Sequence, residues 1–295
     1  MTRQTEVILA SALAVTLAAP ALAADEMSVG DVSLPYVSAG EGTPVVFVHG
    51  AISDMRVWEP YQPMISDDRR FVAYTQRYFG TGEWPEDRSD FQVATHVADL
   101  IAVVEGLDAG PVDLVTWSYS GEVGVRAMLA RPELFRSAVH FEPTLYWLAA
   151  GTPGWDNATR KMFAGFGPAM QAVDEDRGED AALRFIEVVF NLEEGAAVGE
   201  AAEEIWRQNG HTVAPYLAMD PGDLFDCATL SAVTAPTLVV QGEQSHTRFS
   251  MMAERTASCL PNALIVTQPG VNHDGPYRQP EVFGGMIEDF LSLVD

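Results

Sequence analysis

The sequence predicts an α/β fold, a mostly parallel sheet flanked by helices and interrupted by a helical cap. Three observations predict it. Short apolar runs of strand length alternate with longer segments whose apolar residues recur every three or four positions. Pro44-Val45-Val46-Phe47-Val48 is apolar throughout, as suits a strand covered on both faces. The alternation stops near Leu145 and resumes after Asp226, and the residues between are rich in helix formers and large apolar side chains.

Residues 31–42 read as short strands and turns, with Val32 to Ser38 extended. The strand at Pro44–Val48 ends in His49-Gly50-Ala51-Ile52-Ser53-Asp54, where Ser53 or Asp54 can cap a helix carrying Val57, Trp58 and Tyr61. Phe71–Tyr74 is a further strand. The Gly-rich loop after it lacks the lysine and spacing of a phosphate cradle. A helix covers Phe91 to Leu107, with Val93, Val97, Leu100, Ile101 and Val104 on one face. Val112–Val115 is a strand that breaks into a helix running to Ala130, and Phe135–Phe141 is another strand, ending in Glu142-Pro143. Beyond the insertion come a strand at Pro236–Val240, a helix from Arg248 to Cys259, a strand at Ala263–Thr267, the loop Gly270–Gly275 and a closing helix from Pro280 to Leu293.

Composition narrows the function. Lys and Arg number 17 against 42 Asp and Glu, a net charge of −25. A surface that acidic excludes nucleic acid and anionic membranes as partners, because phosphate binding needs a basic face. A small-molecule substrate is expected instead. At the N-terminus Arg3 precedes the apolar run Val7 to Ala19, followed by an Ala-x-Ala site at Ala21 to Ala23. This is the pattern of a signal peptide cleaved after Ala23, with a run too short to span a bilayer. The expected domains are therefore a signal peptide at 1–23, an α/β core at 24–144 and 227–295, and a helical cap at 145–226. The destination is a periplasm or the exterior. There the two cysteines, Cys227 and Cys259, can pair as a disulfide or remain separate buried thiols.

The chemistry collects at strand ends, where ligands bind in open α/β sheets. Thr116-Trp117-Ser118-Tyr119-Ser120-Gly121 places small residues two before and two after Ser118. They allow a sharp turn that lifts the Ser118 hydroxyl above the sheet. A serine hydroxyl attacks only when a base takes its proton, and an imidazole held by a carboxylate is the usual base. His273, in a loop after the last strand, is the leading base and His246 its competitor. Together these residues make a nucleophile reading of Ser118 stronger than helix capping alone.

Val48-His49-Gly50, the Thr116–Gly121 turn, Pro236-Thr237-Leu238-Val239-Val240-Gln241-Gly242-Glu243 and Pro269-Gly270-Val271-Asn272-His273 together resemble the α/β-hydrolase superfamily. The resemblance spans nearly the whole chain after the leader and implies an eight-stranded sheet. It implies that Ser118 is the nucleophile of a serine esterase, in the chain order serine, acid, histidine. Two departures stand out. Thr116 and Ser120 occupy positions that are commonly glycine, and Ser245 stands where many members carry the acid. Some members place the acid after the strand that follows the nucleophile helix, which here is Glu142; Glu243 is the alternative. The oxyanion hole falls to the backbone N–H groups of Tyr119 and Ala51, with Ile52 as the alternative to Ala51. His49 is expected to organise its loop. Trp117, Tyr119 and some of Trp147, Trp155 and Phe163 are expected to line an apolar pocket for a small, neutral, partly apolar ester. This chemistry needs no metal and no organic cofactor. Perhydrolysis or acyl transfer on the same triad, or a noncatalytic binding role, are the rival readings.

Overall fold

Eight strands make one sheet in the order β1-β2-β4-β3-β5-β6-β7-β8. The structure is a computed structural model that describes residues 24–85, 87–192 and 199–295. The predicted leader, residues 1–23, lies outside them. β1 (Asp25–Val29) and β2 (Val32–Ala39) form an antiparallel pair, and β2 also runs antiparallel to β4 (Arg70–Tyr74). From β4 onward, through β3 (Pro44–Val48), β5 (Val112–Trp117), β6 (Phe135–Phe141), β7 (Thr237–Gly242) and β8 (Ala263–Gln268), every pairing is parallel. β1 is an element that the sequence pattern did not single out; its Asp25, Glu26 and Ser28 are exposed, so no apolar run marks it.

The core lies on both faces of the sheet. Along β3, Val45 and Phe47 join one apolar cluster while Val46 and Val48 join the other, the two-residue alternation of a pleated strand. This is why its sequence is apolar without interruption. After β3 the chain forms a 3-10 turn at Met55–Tyr61, capped by Asp54, whose carboxylate accepts from the Arg56 N–H at 3.1 Å. Pro60 cannot donate within it. A short helix α1 (Gln62–Ile65) follows. α2 (Val93–Gly106) and α3 (Tyr119–Ala130) pack against the β3–β5–β6 region through Leu100, Val103, Val123 and Ala127.

Between β6 and β7 the regular structure of the described residues is helical only. The helices are α4 (Tyr146–Ala149), α5 (Trp155–Phe163), α6 (Gly167–Asp174), α7 (Gly178–Val189), α8 (Glu200–Gln208) and α9 (Val213–Ala218). α7 buries Ala181, Ala182, Phe185, Ile186 and Val189, a stripe at helical spacing. Asn209 ties this layer down: its amide donates to Asp54 Oδ2 at 2.8 Å and its oxygen accepts from the Gly80 N–H at 2.6 Å. The chain then returns through α10 (Cys227–Leu230), β7, α11 (Thr247–Cys259), β8, α12 (Gly275–Arg278) and α13 (Pro280–Val294). Cys227 and Cys259 form a disulfide that joins the start of α10 to the end of α11, with Cα atoms 4.8 Å apart.

Candidate active site

Ser118 sits at the break between β5 and α3 with φ 61° and ψ −119°, a left-handed backbone that a non-glycine residue adopts only under constraint. The constraint is visible. The Ser118 N–H donates to Phe141 O at 2.9 Å, and the Ser118 carbonyl accepts from the Gly121 and Thr144 N–H groups at 2.9 and 3.3 Å. Ser120 Oγ donates to Val48 O at 2.7 Å, tying the turn to the end of β3. Thr116 Oγ1 and His140 Nδ1 lie 2.6 Å apart across β5 and β6. The two residues that depart from glycine thus knit the turn to both neighbouring strands. Gly121 must stay small: a Cβ there would stand 2.5 Å from Pro143 Cβ. The loop after β3 also presses on the turn, since a Cβ on Gly50 would meet Trp117 O at 3.1 Å and Ser118 Cβ at 3.4 Å.

His273 and Glu142 are a buried pair. His273 Nδ1 lies 2.6 Å from Glu142 Oε2, and the other carboxylate oxygen accepts from the Gly242 N–H at 2.8 Å. Glu142 has φ 45° and its N–H donates to Val240 O at 2.8 Å, so the end of β7 holds both its backbone and its side chain. A carboxylate on Nδ1 fixes that nitrogen as the donor and leaves Nε2 as the basic one. Phe249, on α11, stacks flat on the His273 ring, with centroids 3.8 Å apart and planes at 8°. The Trp117 indole N–H donates to the His273 carbonyl at 2.9 Å. Phe249 was not legible as a site residue, because its contact with His273 crosses from α11 to the loop after β8.

The competing carboxylates are occupied elsewhere. Glu243 is exposed and its carboxylate accepts from the Gly270 N–H at 2.9 Å. Asp274 bonds Arg278 Nε and the Asn272 N–H. Ser245 Oγ is buried with no hydrogen-bond partner. His49 is fully buried and accepts from the Gln76 N–H on Nε2 at 3.0 Å, so Nδ1 carries its proton and donates to Gly50 O at 2.8 Å. Burial pushes its pKa down to about 4.

Ser118, Tyr119, Ala51 and His273 line one cavity of about 410 Å³. The Ser118 hydroxyl makes no hydrogen bond among the described residues, and leans on that open space. The Tyr119 N–H is among the first amides of α3, which have no intrahelical acceptor. Its side chain is locked, with the hydroxyl 2.5 Å from His96 Nδ1. Ile52, the alternative to Ala51, has its side chain in the core and does not border the cavity.

The roof comes from α5, α7, α8 and α9, including Met162, Phe163, Phe185, Ile186, Val189, Trp206 and Tyr216. Of the aromatic residues expected to line it, Trp117, Tyr119 and Phe163 do. Trp147 and Trp155 do not; Trp147 packs on Phe225 instead, its indole N–H donating to the Phe225 carbonyl. Nor is the wall purely apolar. Glu122 and Arg248 both border the cavity. Burial raises the Glu122 pKa to about 7, against the pull of Arg126, whose Nε donates to it at 2.9 Å. Neither charge was foreseen. Arg248 does carry a partial signal in the sequence: positions 251 and 252, its neighbours one turn further along α11, hold no acid.

A strained serine at a strand–helix turn, a carboxylate–imidazole pair at neighbouring strand ends and a roofed cavity define a hydrolase of the α/β class. The chain belongs to the Alpha/beta hydrolase family, which it matches over residues 45–284. It is 26% identical over 282 residues to the provisionally named non-heme bromoperoxidase BpoC of Mycobacterium tuberculosis, covering 89% of this chain and 99% of the relative. It is 24% identical over 272 residues to the 2-(acetamidomethylene)succinate hydrolase of Mesorhizobium japonicum, covering 90% and 94%. Among solved structures, the Bacillus megaterium epoxide hydrolase superposes with a TM-score of 0.73 at 19% identity, over 91% of this chain and all of that one. The CarC serine hydrolase of carbazole degradation does so with 0.70 at 19%, over 92% of this chain and all of that one. At that identity the likeness is one of fold.

Proposed function

We propose that the protein is an exported serine hydrolase that cleaves a small, partly apolar ester or related acyl compound through an acyl-enzyme. The observation that carries this reading is the buried Glu142–His273 pair on the wall of the cavity that Ser118 also lines. Ser118 Oγ attacks the acyl carbon while His273 Nε2 takes its proton. The negative oxygen of the tetrahedral intermediate rests on the N–H groups of Ala51 and Tyr119, where loss of one donor would cost on the order of 3 kcal/mol. His273 returns the proton to the leaving alcohol, and the acyl group stays on Ser118. Water, deprotonated by His273, then releases the acid. Glu142 orients the ring and stabilises its cationic form throughout. Serine, rather than aspartate, at position 118 counts against epoxide and haloalkane chemistry, despite the structural likeness to an epoxide hydrolase. The 1–23 leader and the Cys227–Cys259 disulfide favour an oxidising compartment.

The test is Ser118→Ala. It should abolish turnover of short p-nitrophenyl esters and labelling by a fluorophosphonate; activity persisting in the pure, folded variant would sink the reading. A wild-type chain that takes no label and turns over no ester would point to a binding protein. The bromoperoxidase name of a relative favours a second reading, in which hydrogen peroxide rather than water intercepts the acyl-enzyme. Peracid formation that outpaces hydrolysis at equal acceptor activity would select it.

A further inference from the structure

Hydrolysis of a neutral ester leaves Arg248 unexplained. It stands in the first turn of α11, next to Phe249, and borders the same cavity as Ser118 and His273. A guanidinium keeps its charge in a protein and is costly to bury unpaired. Other shielded arginines here are paired: Arg77 with Asp99, Arg126 with Glu122, Arg136 with Asp113. Arg248 is not. Among the described residues Arg248 makes no ion pair and no hydrogen bond through its guanidinium, and its Nε–H is buried without a partner.

Its neighbours are aromatic faces. The rings of Tyr146, Trp155 and Phe163 lie 5.8, 5.0 and 5.4 Å from its central carbon. Cation–π contacts stabilise the charge but leave the N–H donors unused. Glu122, the carboxylate that borders the cavity, is bonded to Arg126. The cavity therefore holds a caged cation with open donors and no counterion.

We propose that Arg248 is a specificity-determining residue that binds a carboxylate of the substrate, away from the acyl group that Ser118 attacks. The substrate class is then an ester with an apolar body and one acidic end. A planar guanidinium matches a carboxylate edge to edge. A phosphate dianion fits less well, because among the described residues Arg248 is the one cation bordering the cavity and Glu122 already borders it too. This inference rests on the serine hydrolase reading and replaces the expectation of a wholly neutral substrate.

The experiment compares isosteric pairs: p-nitrophenyl hydrogen glutarate against its terminal amide, with the charge on the acyl side, and 4-acetoxybenzoate against 4-acetoxybenzamide, with the charge on the leaving side. In at least one pair the wild type should favour the acid in kcat/KM by roughly 10–100-fold, the range for a charge-assisted hydrogen bond in a shielded site. Arg248→Gln should shrink that preference by at least about tenfold, and Arg248→Lys should restore part of it. No acid preference in either pair, or an equal loss for acid and amide in Arg248→Gln, would overturn the proposal and leave Arg248 as a staple between α11 and the cap. If Arg248→Gln does not fold, competitive inhibition of the wild type by glutarate against glutaramide decides: a Ki at least about tenfold lower for the acid supports the site, equal values refute it. Fluorophosphonate labelling of the wild type runs in parallel. A labelled Ser118 without acid preference defeats only the Arg248 proposal, whereas an unlabelled wild type defeats the parent reading.

Discussion

Glu142 and Glu243 each stand one position past neighbouring parallel strands, yet they meet different surroundings. Glu142 is fully buried and divides its oxygens between His273 Nδ1 and the Gly242 N–H. Glu243 is exposed and braces the Gly270 turn. Glu142→Gln should therefore lower kcat by roughly 10²–10⁴-fold, as loss of the orienting carboxylate does in serine triads. Glu243→Gln should change it by no more than a few fold. Steady-state kinetics on a p-nitrophenyl ester reads both, and the opposite ranking would move the acid to Glu243. Choosing between these two carboxylates was only half legible in the sequence. Both positions follow apolar strands, and Ser245 removes the commoner acid, but burial and the 2.6 Å contact arise from how β6, β7 and the His273 loop converge.

At the level of elements, α11 supports the site from the side. Its first turn carries Arg248 and Phe249, and its last residue, Cys259, is bonded to Cys227 at the start of α10. The disulfide closes a loop with a sequence separation of 32 residues. Chain entropy assigns such a loop about 3–4 kcal/mol. The double variant Cys227→Ser/Cys259→Ser should lose about that much unfolding free energy in a urea titration; an unchanged midpoint would contradict the expectation. Strand–helix alternation and the cap's helical character were readable from apolar periodicity. Edges were not. β8 reads Ala-Leu-Ile-Val, much like the covered β3, yet Leu264, Ile265 and Val266 are exposed because β8 ends the sheet.

Across the whole molecule, pH couples to folding through buried groups. Burial lowers the pKa of His49 and His140 to about 4 and of His96 to about 3. In the unfolded chain each accepts a proton near 6.5. Below that value the unfolded state binds more protons, so stability is intact above pH 6.5 and falls as the pH drops toward 4. Glu122 acts in the opposite sense. Its folded pKa of about 7, against 4.5 unfolded, makes stability fall as the pH rises through that window. Between pH 4.5 and 6.5 three histidines outweigh one carboxylate. His211 and His246, also lowered by burial, add to the same sense, so the net expectation is a loss of unfolding free energy on acidification. Unfolding free energies measured across that range should show the decline, and Glu122→Gln should steepen it. A flat profile would mean that these groups are not buried as described.

Local pattern alone determined the fold class, the strained serine turn, the histidine loop and the helical insertion, because each depends on residues adjacent in the chain. Periodicity, small residues at a turn and strand-end polarity are all properties of short segments. Tertiary structure decided how His273 meets Glu142, which aromatic rings border the cavity, that Phe249 stacks on the imidazole and that, among the described residues, no carboxylate pairs with Arg248. Those depend on residues brought together across parallel strands and from cap to core, where separation along the chain carries no record of separation in space.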